Sequence, residues 1–302
     1  MTSTLQNSPV LNIRCYAKVN LDLEVLGKRD DGFHEIRSRM VMVSLFDELA
    51  FYPANKGAGI SLIVVGADLP TGPENLVIKA ANAFVEHTGK VVDYSIELTK
   101  RIPSGAGLGG GSSDAAQTLL GLNRLTKAGL TNDELVDLAA SIGSDVPFFL
   151  FNQPCEVHGR GEVVQRINFE WELPIVLLKP EFGVDTPLAY RGWAESKEIP
   201  SVLYAPQICP WGAMVNSLER PVFQKFPALA DMKMWLLSQP ETHAALMSGS
   251  GSTMLIVLAQ QHGGEGLVQR ARDEFGATLW GFVGHTLVDA AAPEPPGVRH
   301  PA

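Results

Sequence analysis

Helix-like and strand-like periodicities interleave along the whole of this sequence, which predicts a mixed α/β or α+β fold. Two further observations bound that prediction. The chain has 302 residues, and at roughly 150 residues per domain there is room for two domains. Hydrophobic residues make up 45% and charged residues 19%, a balance that supports a packed core and argues against global disorder.

The elements follow in order. Residues 11–27 alternate like a strand, with Ile13, Cys15, Val19, Leu21, Leu23 and Val25 at apolar positions. Lys28-Arg29-Asp30-Asp31-Gly32 reads as a hairpin turn, because Asp-Gly favours positive φ. Residues 40–52 and 59–65 are further strands. Residues 75–87 carry Leu76, Ile78, Ala80, Ala83 and Phe84 at helical spacing. Residues 94–98 form a short strand leading into a glycine-rich segment. Residues 112–125 form a helix with Ser112 or Ser113 at its N-cap. Residues 131–142 form another, with Thr131 and Glu134 at capping-box spacing.

The second half repeats the mixture. A strand is expected at 171–178, an irregular stretch at 197–210, and helices around 214–218, 228–237 and 266–275. Strands are expected at 254–258 and 278–283. A boundary near residues 160–170 divides the chain into 1–168 and 169–289, and the proline-rich residues 290–302 read as a disordered tail.

The charge balance excludes some functions. Lys and Arg total 24 against 33 Asp and Glu, a net charge of −9. Bulk attraction to nucleic acid or an anionic membrane is therefore not expected. No apolar run approaches the roughly 18 residues of a membrane span, and the polar N-terminus does not resemble a secretory signal. The three cysteines, Cys15, Cys155 and Cys209, are far apart and form no CxxC pair. Neither a disulfide framework nor a zinc site is expected, and a reducing cytoplasm is the default location.

The dominant motif is Pro103-Ser104-Gly105-Ala106-Gly107-Leu108-Gly109-Gly110-Gly111-Ser112-Ser113-Asp114-Ala115-Ala116. Five glycines between positions 105 and 111 carry a backbone entropy cost that needs a reason. Close approach of backbone N–H groups to an anion supplies one, and the helix that follows adds its unpaired first-turn amides. A flexible linker is the plain alternative. A Walker A loop would end in Gly-Lys-Ser/Thr, and no lysine occurs between Arg101 and Lys127. Gly105-x-Gly107-x-x-Gly110 matches the dinucleotide fingerprint formally, but the acidic residues about 20 positions on fall in a predicted helix. The HRD and DFG strings of protein kinases do not occur.

Pro-x-x-x-Gly-Leu-x-x-x-Ser-Ser-x-Ala-Ala resembles the phosphate loop of the GHMP kinases. Lys18-Val19-Asn20, Gly32-Phe33-His34-Glu35, Glu74-Asn75-Leu76, Gly143-Ser144-Asp145-Val146-Pro147, Gly159-Arg160-Gly161-Glu162, Asn216-Ser217-Leu218-Glu219 and Ser248-Gly249-Ser250-Gly251-Ser252 resemble its diphosphocytidyl-methylerythritol branch. These segments run from about residue 14 to 284.

The resemblance implies an α+β two-domain GHMP kinase fold. Its N-terminal half would resemble the second domain of ribosomal protein S5, and its C-terminal half a ferredoxin-like sandwich. It implies phosphorylation by ATP of the 2-hydroxyl of 4-diphosphocytidyl-2-C-methyl-D-erythritol, in the non-mevalonate route to isoprenoid precursors. Asp145 would be the general base and Lys18 its partner, although by themselves they read as a turn aspartate and a surface lysine. Residues 103–113 would bind ATP, with Lys100 and Asn75 on the adenosine side. Asn20, Phe33, His34, Tyr190, Ser250 and Gly251 would meet the acceptor. Phe33 and Tyr190 are read as stacking faces for the base, and His34 as a contact to its edge. A structural histidine at 34 and core packing at Tyr190 are the plain alternatives. No acidic cluster marks a metal cage, so Mg²⁺ would ride on the ATP phosphates, with Ser113 as the candidate side-chain ligand. The expected assembly is a monomer or weak homodimer without nucleic-acid or membrane partners. Three rivals stay open: another GHMP enzyme (a mevalonate- or homoserine-type kinase or a decarboxylase), a dinucleotide-dependent oxidoreductase, and an inactive nucleotide-binding module.

Overall fold

The computed structural model describes residues 8–290. Strand β1 (Leu11–Asn20), β2 (Glu24–Lys28) and β3 (His34–Pro53) come first, then β4 (Ile60–Val65), helix α1 (Leu76–Thr88) and β5 (Tyr94–Thr99). Helices α2 (Gly110–Thr126) and α3 (Asn132–Ile142) follow, with a 3₁₀ turn at Pro147–Leu150, and then β6 (Cys155–Gly159) and β7 (Val163–Arg166). The second half contains β8 (Pro174–Lys179), α4 (Thr186–Arg191), β9 (Gln207–Cys209), β10 (Gly212–Met214), α5 (Glu219–Lys225) and α6 (Pro227–Leu237). It ends with β11 (Thr242–Met247), β12 (Met254–Leu258), α7 (Gly264–Phe275) and β13 (Trp280–Leu287).

The 20-residue β3 is the hub. It pairs antiparallel with β1, β2, β5, β6 and β13, while β4 runs parallel to β5. The main path is β11-β12-β8-β13-β3-β5-β4. Strand β13 lies on β8 from Trp280 to His285, then reaches β3 with Thr286 opposite Val43. One sheet therefore runs through both halves of the chain.

Burial follows the alternation that made these strands legible. In the first half, Ile13, Phe51, Phe84, Ile96 and Leu119 pack α1 and α2 onto the sheet. In the second, Val222, Phe223, Leu236 and Leu267 cover the β8–β12 face. A third cluster draws on both halves, joining Ala17, Val19 and Val41 to Ile175, Leu246 and Val257. Burial of a side chain of this size contributes about 1.5–3 kcal/mol, so the shared cluster ties the halves firmly.

Two helix starts are capped by side chains, the second as its sequence signal predicts. Asn75 caps α1, accepting from Val77 N at 2.9 Å. Thr131 and Glu134 form the full capping box on α3. Gly32 takes φ 87° in the 28–32 turn, as Asp-Gly there requires.

Four expectations are corrected. Residues 11–27 are not one strand: the chain turns at 21–23, where Leu21 N donates to Arg39 O and Leu23 N to Val215 O. The N-cap of α2 is Gly109 rather than Ser112 or Ser113, because its φ of 68° suits glycine and Ser113 already lies inside the helix. No helix spans 214–218. Met214 ends β10, and Asn216 holds the following turn through Leu218 N at 2.9 Å, so α5 begins only at Glu219. Ala290 does not begin a loose tail: it is buried and its N–H donates to Asn152 O at 2.9 Å. The remainder of that expected tail lies outside the described residues.

Candidate active site

Two glycine loops face each other across a cavity of about 430 Å³. The first joins β5 to α2. Gly105, Gly107 and Gly109 all have positive φ, between 62° and 74°. A Cβ on Gly107 would overlap the Ser248 carbonyl oxygen and lie 3.0 Å from Gly251 O. A Cβ on Gly109 would meet the Phe149 ring at 2.8 Å and the Lys18 stem at 3.0 Å. Gly107 and Gly109 are therefore demanded by close approach, not only by chain reversal. As N-cap of α2, Gly109 offers no side-chain acceptor, which leaves the first-turn amides available to an anion.

The second loop, residues 248–252, follows β11. Asn216 Nδ2 donates to Met247 O at 2.6 Å and Gly249 O at 2.7 Å, which fixes its shape. Ser248 Oγ donates to Gly107 O at 3.3 Å, tying loop to loop. Ser250 shares a 2.8 Å hydrogen bond with Thr186. Residues 103–112, Gly249, Ser250 and Gly251 all line the cavity.

Strand β1 delivers Lys18 and Asn20 to the cavity floor. Lys18 N donates to Leu108 O at 2.9 Å, which anchors the first loop to the strand. The Lys18 ammonium lies 3.5 Å from Asp145 Oδ2 and donates to Asn20 Oδ1 at 2.9 Å. Asn20 donates in turn to Ser38 Oγ at 2.7 Å, and Ser38 donates to Asp22 O. Lys18 is 4% exposed in its side chain and Asp145 is 35% exposed. A buried cation thus presents an accessible carboxylate to the cavity. Asp145 sits in the turn after α3, where Val146 N bonds back to Gly143 O.

Beneath the first loop, the buried Lys100 ammonium lies between Asp47 (2.5 Å) and Asp114 (2.9 Å). Asp47 also accepts from Arg101 N and Ile102 N, so it fixes the start of the loop. Burial opposes the Lys100 charge, yet the two carboxylates outweigh it and hold its pKa above the usual lysine range. Burial pushes the Asp114 carboxyl up to about 7, against the pull of Lys100. Lys100 lines the cavity, but its charge is engaged by acids. Asn75 also lines it, with its oxygen on Val77 N and its nitrogen on Pro70 O. Ser112 lines the cavity, whereas Ser113 is buried away from it with its Oγ unpartnered.

Behind Tyr190 and outside the cavity lining, the His34 ring lies 5.4 Å from Tyr190 and 6.1 Å from Trp193. Burial first, then Lys28, lowers the His34 pKa, which favours neutral imidazole. Burial, and then Asp145, raises that of the Tyr190 hydroxyl. Tyr190 lines the cavity. Phe33 is 51% exposed, and Arg160 lies over its ring at 4.7 Å. Sequence reasoning gave no role to Arg160, Trp193, Asp47 or Asn216. The Gly-Arg-Gly-Glu turn was the one available signal for Arg160.

Residues 75–153 match the model of the GHMP kinases N terminal domain. The 4-diphosphocytidyl-2-C-methyl-D-erythritol kinase of Methylacidiphilum infernorum is 37% identical over 280 residues, covering 91% of this chain and 96% of that protein. The enzyme of the same name from Syntrophus aciditrophicus is 40% identical over 255 residues, covering 81% and 88%. A crystal structure of 4-(cytidine 5'-diphospho)-2C-methyl-D-erythritol kinase superposes with a TM-score of 0.73 at 35% identity, covering 91% of this chain and 99% of that one. A homoserine kinase from Cytophaga hutchinsonii, 17% identical, shares the fold with a TM-score of 0.66 over 97% of this chain and 99% of its own. The cavity between two glycine loops thus belongs to a GHMP kinase fold, and the chain is a member of the 4-diphosphocytidyl-2-C-methyl-D-erythritol kinase family.

Proposed function

We propose that this cavity transfers the γ-phosphoryl group of ATP to the 2-hydroxyl of 4-diphosphocytidyl-2-C-methyl-D-erythritol, with Asp145 as general base and Lys18 as its partner. The observation that carries this reading is the Lys18–Asp145 pair, 3.5 Å apart on the floor between the loops. The carboxylate takes the hydroxyl proton as that oxygen attacks phosphorus. Lys18 holds the carboxylate in place and offsets negative charge as it builds up. Its own position is fixed by Asn20, so the base is oriented before substrate arrives.

ATP lies along residues 103–112, its phosphates on loop amides and the N-terminus of α2. The structure supports Asn75 and Lys100 more strongly as braces of that subsite than as free donors to adenosine. Tyr190 and His34 face the cytosine, and Ser250 and Gly251 the acceptor's diphosphate. Among the described residues, no group of three His, Cys, Asp or Glu side chains is arranged to hold a metal. Mg²⁺ on the ATP phosphates would supply charge neutralisation, and Ser112, whose hydroxyl donor chemistry suits that ion and which lines the cavity, fits it better than Ser113.

Residues 1–168 and 169–289 act as the two domains of a cytoplasmic monomer or weak homodimer. No described helix is long and apolar enough to cross a membrane. The test is ADP release with the diphosphocytidyl acceptor against mevalonate, homoserine and galactose. Only the first should support turnover, and turnover with another acceptor alone would overturn the reading.

A further inference from the structure

We propose that Glu219, held by Lys233, is a positioning residue for the reaction: it grips the edge of β11 at Met247 and so sets the second glycine loop against Lys18. Its weight in catalysis rests on the assignment of Lys18 above.

Strand β11 begins the main path of the sheet and pairs with β12 on one side. The other side of such an edge strand carries N–H and C=O groups that need partners. Side chains supply them. Gln207 Nε2 donates to Ala245 O at 2.8 Å, and its Oε1 accepts from Ala245 N at 3.0 Å. Two positions on, Glu219 Oε1 accepts from Met247 N at 2.9 Å, while Asn216 takes Met247 O. Both partners of Met247 thus come from one turn, residues 216–219. That turn is fastened to β2: Ser217 N donates to Leu23 O at 2.8 Å, and Val25 N to Ser217 Oγ at 3.2 Å.

A neutral amide serves Ala245, but the acceptor at Met247 is a buried carboxylate. Lys233, also buried, lies 2.6 Å from Glu219 Oε2 and donates to Leu203 O at 2.5 Å. Burial raises the Glu219 pKa, and Lys233 opposes that rise. A buried ion pair adds little net stability over apolar side chains of similar volume. What this pair adds is direction: it fixes an acceptor under the last residue before the loop.

The loop depends on that residue. A Cβ on Gly251 would stand 2.6 Å from Met247 Sδ, so the loop folds back onto Met247. A Cβ on Gly249 would stand 3.4 Å from Lys18 Nζ and 3.3 Å from both Asn20 Oδ1 and Gly107 O. The backbone at Gly249 therefore packs against the Lys18 ammonium, its tether and the first loop. A shift at Met247 reaches Lys18 two residues later.

The experiment measures turnover per folded molecule and amide hydrogen exchange in wild type, E219M/K233M and E219Q/K233M. Both variants remove both charges, so neither buries an unpaired one. Only the second keeps an acceptor for Met247 N. Urea unfolding gives the folded fraction. In E219M/K233M, kcat should fall about 10- to 100-fold, with KM for ATP within about twofold, because the first loop keeps its anchors at Lys18 N and Asp47. The amides of Met247 and Gly249 to Gly251 should exchange at least about tenfold faster, as expected of a loosened segment. E219Q/K233M should recover most of both. If E219M/K233M does not fold, E219D carries the same expectation, since it keeps the charge and shortens the reach. Wild-type kcat and exchange in folded E219M/K233M, or in E219D where that variant stands in, would overturn the proposal. So would E219Q/K233M as impaired as E219M/K233M. Wild type without turnover on the diphosphocytidyl acceptor would overturn the function assigned above, and the exchange at residues 247–251 would then decide the grip by itself.

Discussion

Asn20 Oδ1 accepts from the Lys18 ammonium at 2.9 Å, so the cation facing Asp145 is tethered from behind by a neutral, fully buried amide. A neutral tether restrains the lysine without competing for its charge. The tether itself is anchored through Ser38 to the backbone of Asp22.

The first consequence concerns the base. D145N should lower turnover by about 10²- to 10⁴-fold, the usual range for loss of general base catalysis. ATP affinity should stay within about twofold, because the phosphate-binding amides are untouched. Single-turnover ADP release and equilibrium ATP binding measure both. Near-normal turnover in D145N would remove the carboxylate from the mechanism.

The tether has its own signature. N20A leaves Lys18 with Asp145 alone and strips Ser38 of a donor. Stability should fall by about 1–3 kcal/mol, the cost of orphaning buried polar groups, read from urea unfolding. Turnover should fall more than KM rises, since the lysine is mispositioned rather than removed. N20D should instead draw the ammonium away from Asp145.

The loop glycines should divide by what surrounds them. G105A meets open space, with nothing within 4 Å, and only its φ of 62° is strained. Its cost should be about 1–2 kcal/mol. G107A carries the same kind of strain and also drives a methyl group into the Ser248 carbonyl. It should unfold at distinctly lower urea and lose ATP binding, whereas folded G105A keeps measurable binding.

Asp114 makes stability depend on pH in an identifiable direction. Burial raises its carboxyl from the ordinary 3.8 to about 7. Between those values the folded protein binds more protons at this group than the unfolded chain does. The group's contribution to stability is therefore fully present below the unfolded pKa and is lost as pH rises through about 7. Urea titrations at a series of pH values should show wild type weakening across this window relative to D114N. Parallel curves would rule the group out.

What was legible in the sequence depended on range. The glycine loop and the Thr131 capping box are local patterns, and both form. Strand β11 (Thr242–Met247) was missed because Ala244 to Met247 are buried on both faces, which erases alternation. The pairing of Lys100 with Asp47 spans 53 positions, and nothing local announces it. The Lys18–Asp145 pair was legible only through the family resemblance. The contact of Phe33 with Arg160 was illegible for the same reason: Arg160 comes from a distant hairpin whose return onto β3 periodicity does not encode.

Strand β13 gives the molecule one more property. It continues the β8 ladder and then bonds to β3, so no free hinge separates the halves. A clamshell motion would have to shear the rungs at Thr286 and Leu287. The width of the cleft is therefore set when the protein folds, and admission of ligands falls to side chains and turns at its rim. Truncation before β13 would not merely shorten the chain; it would cut the seam that holds the two glycine loops at contact distance.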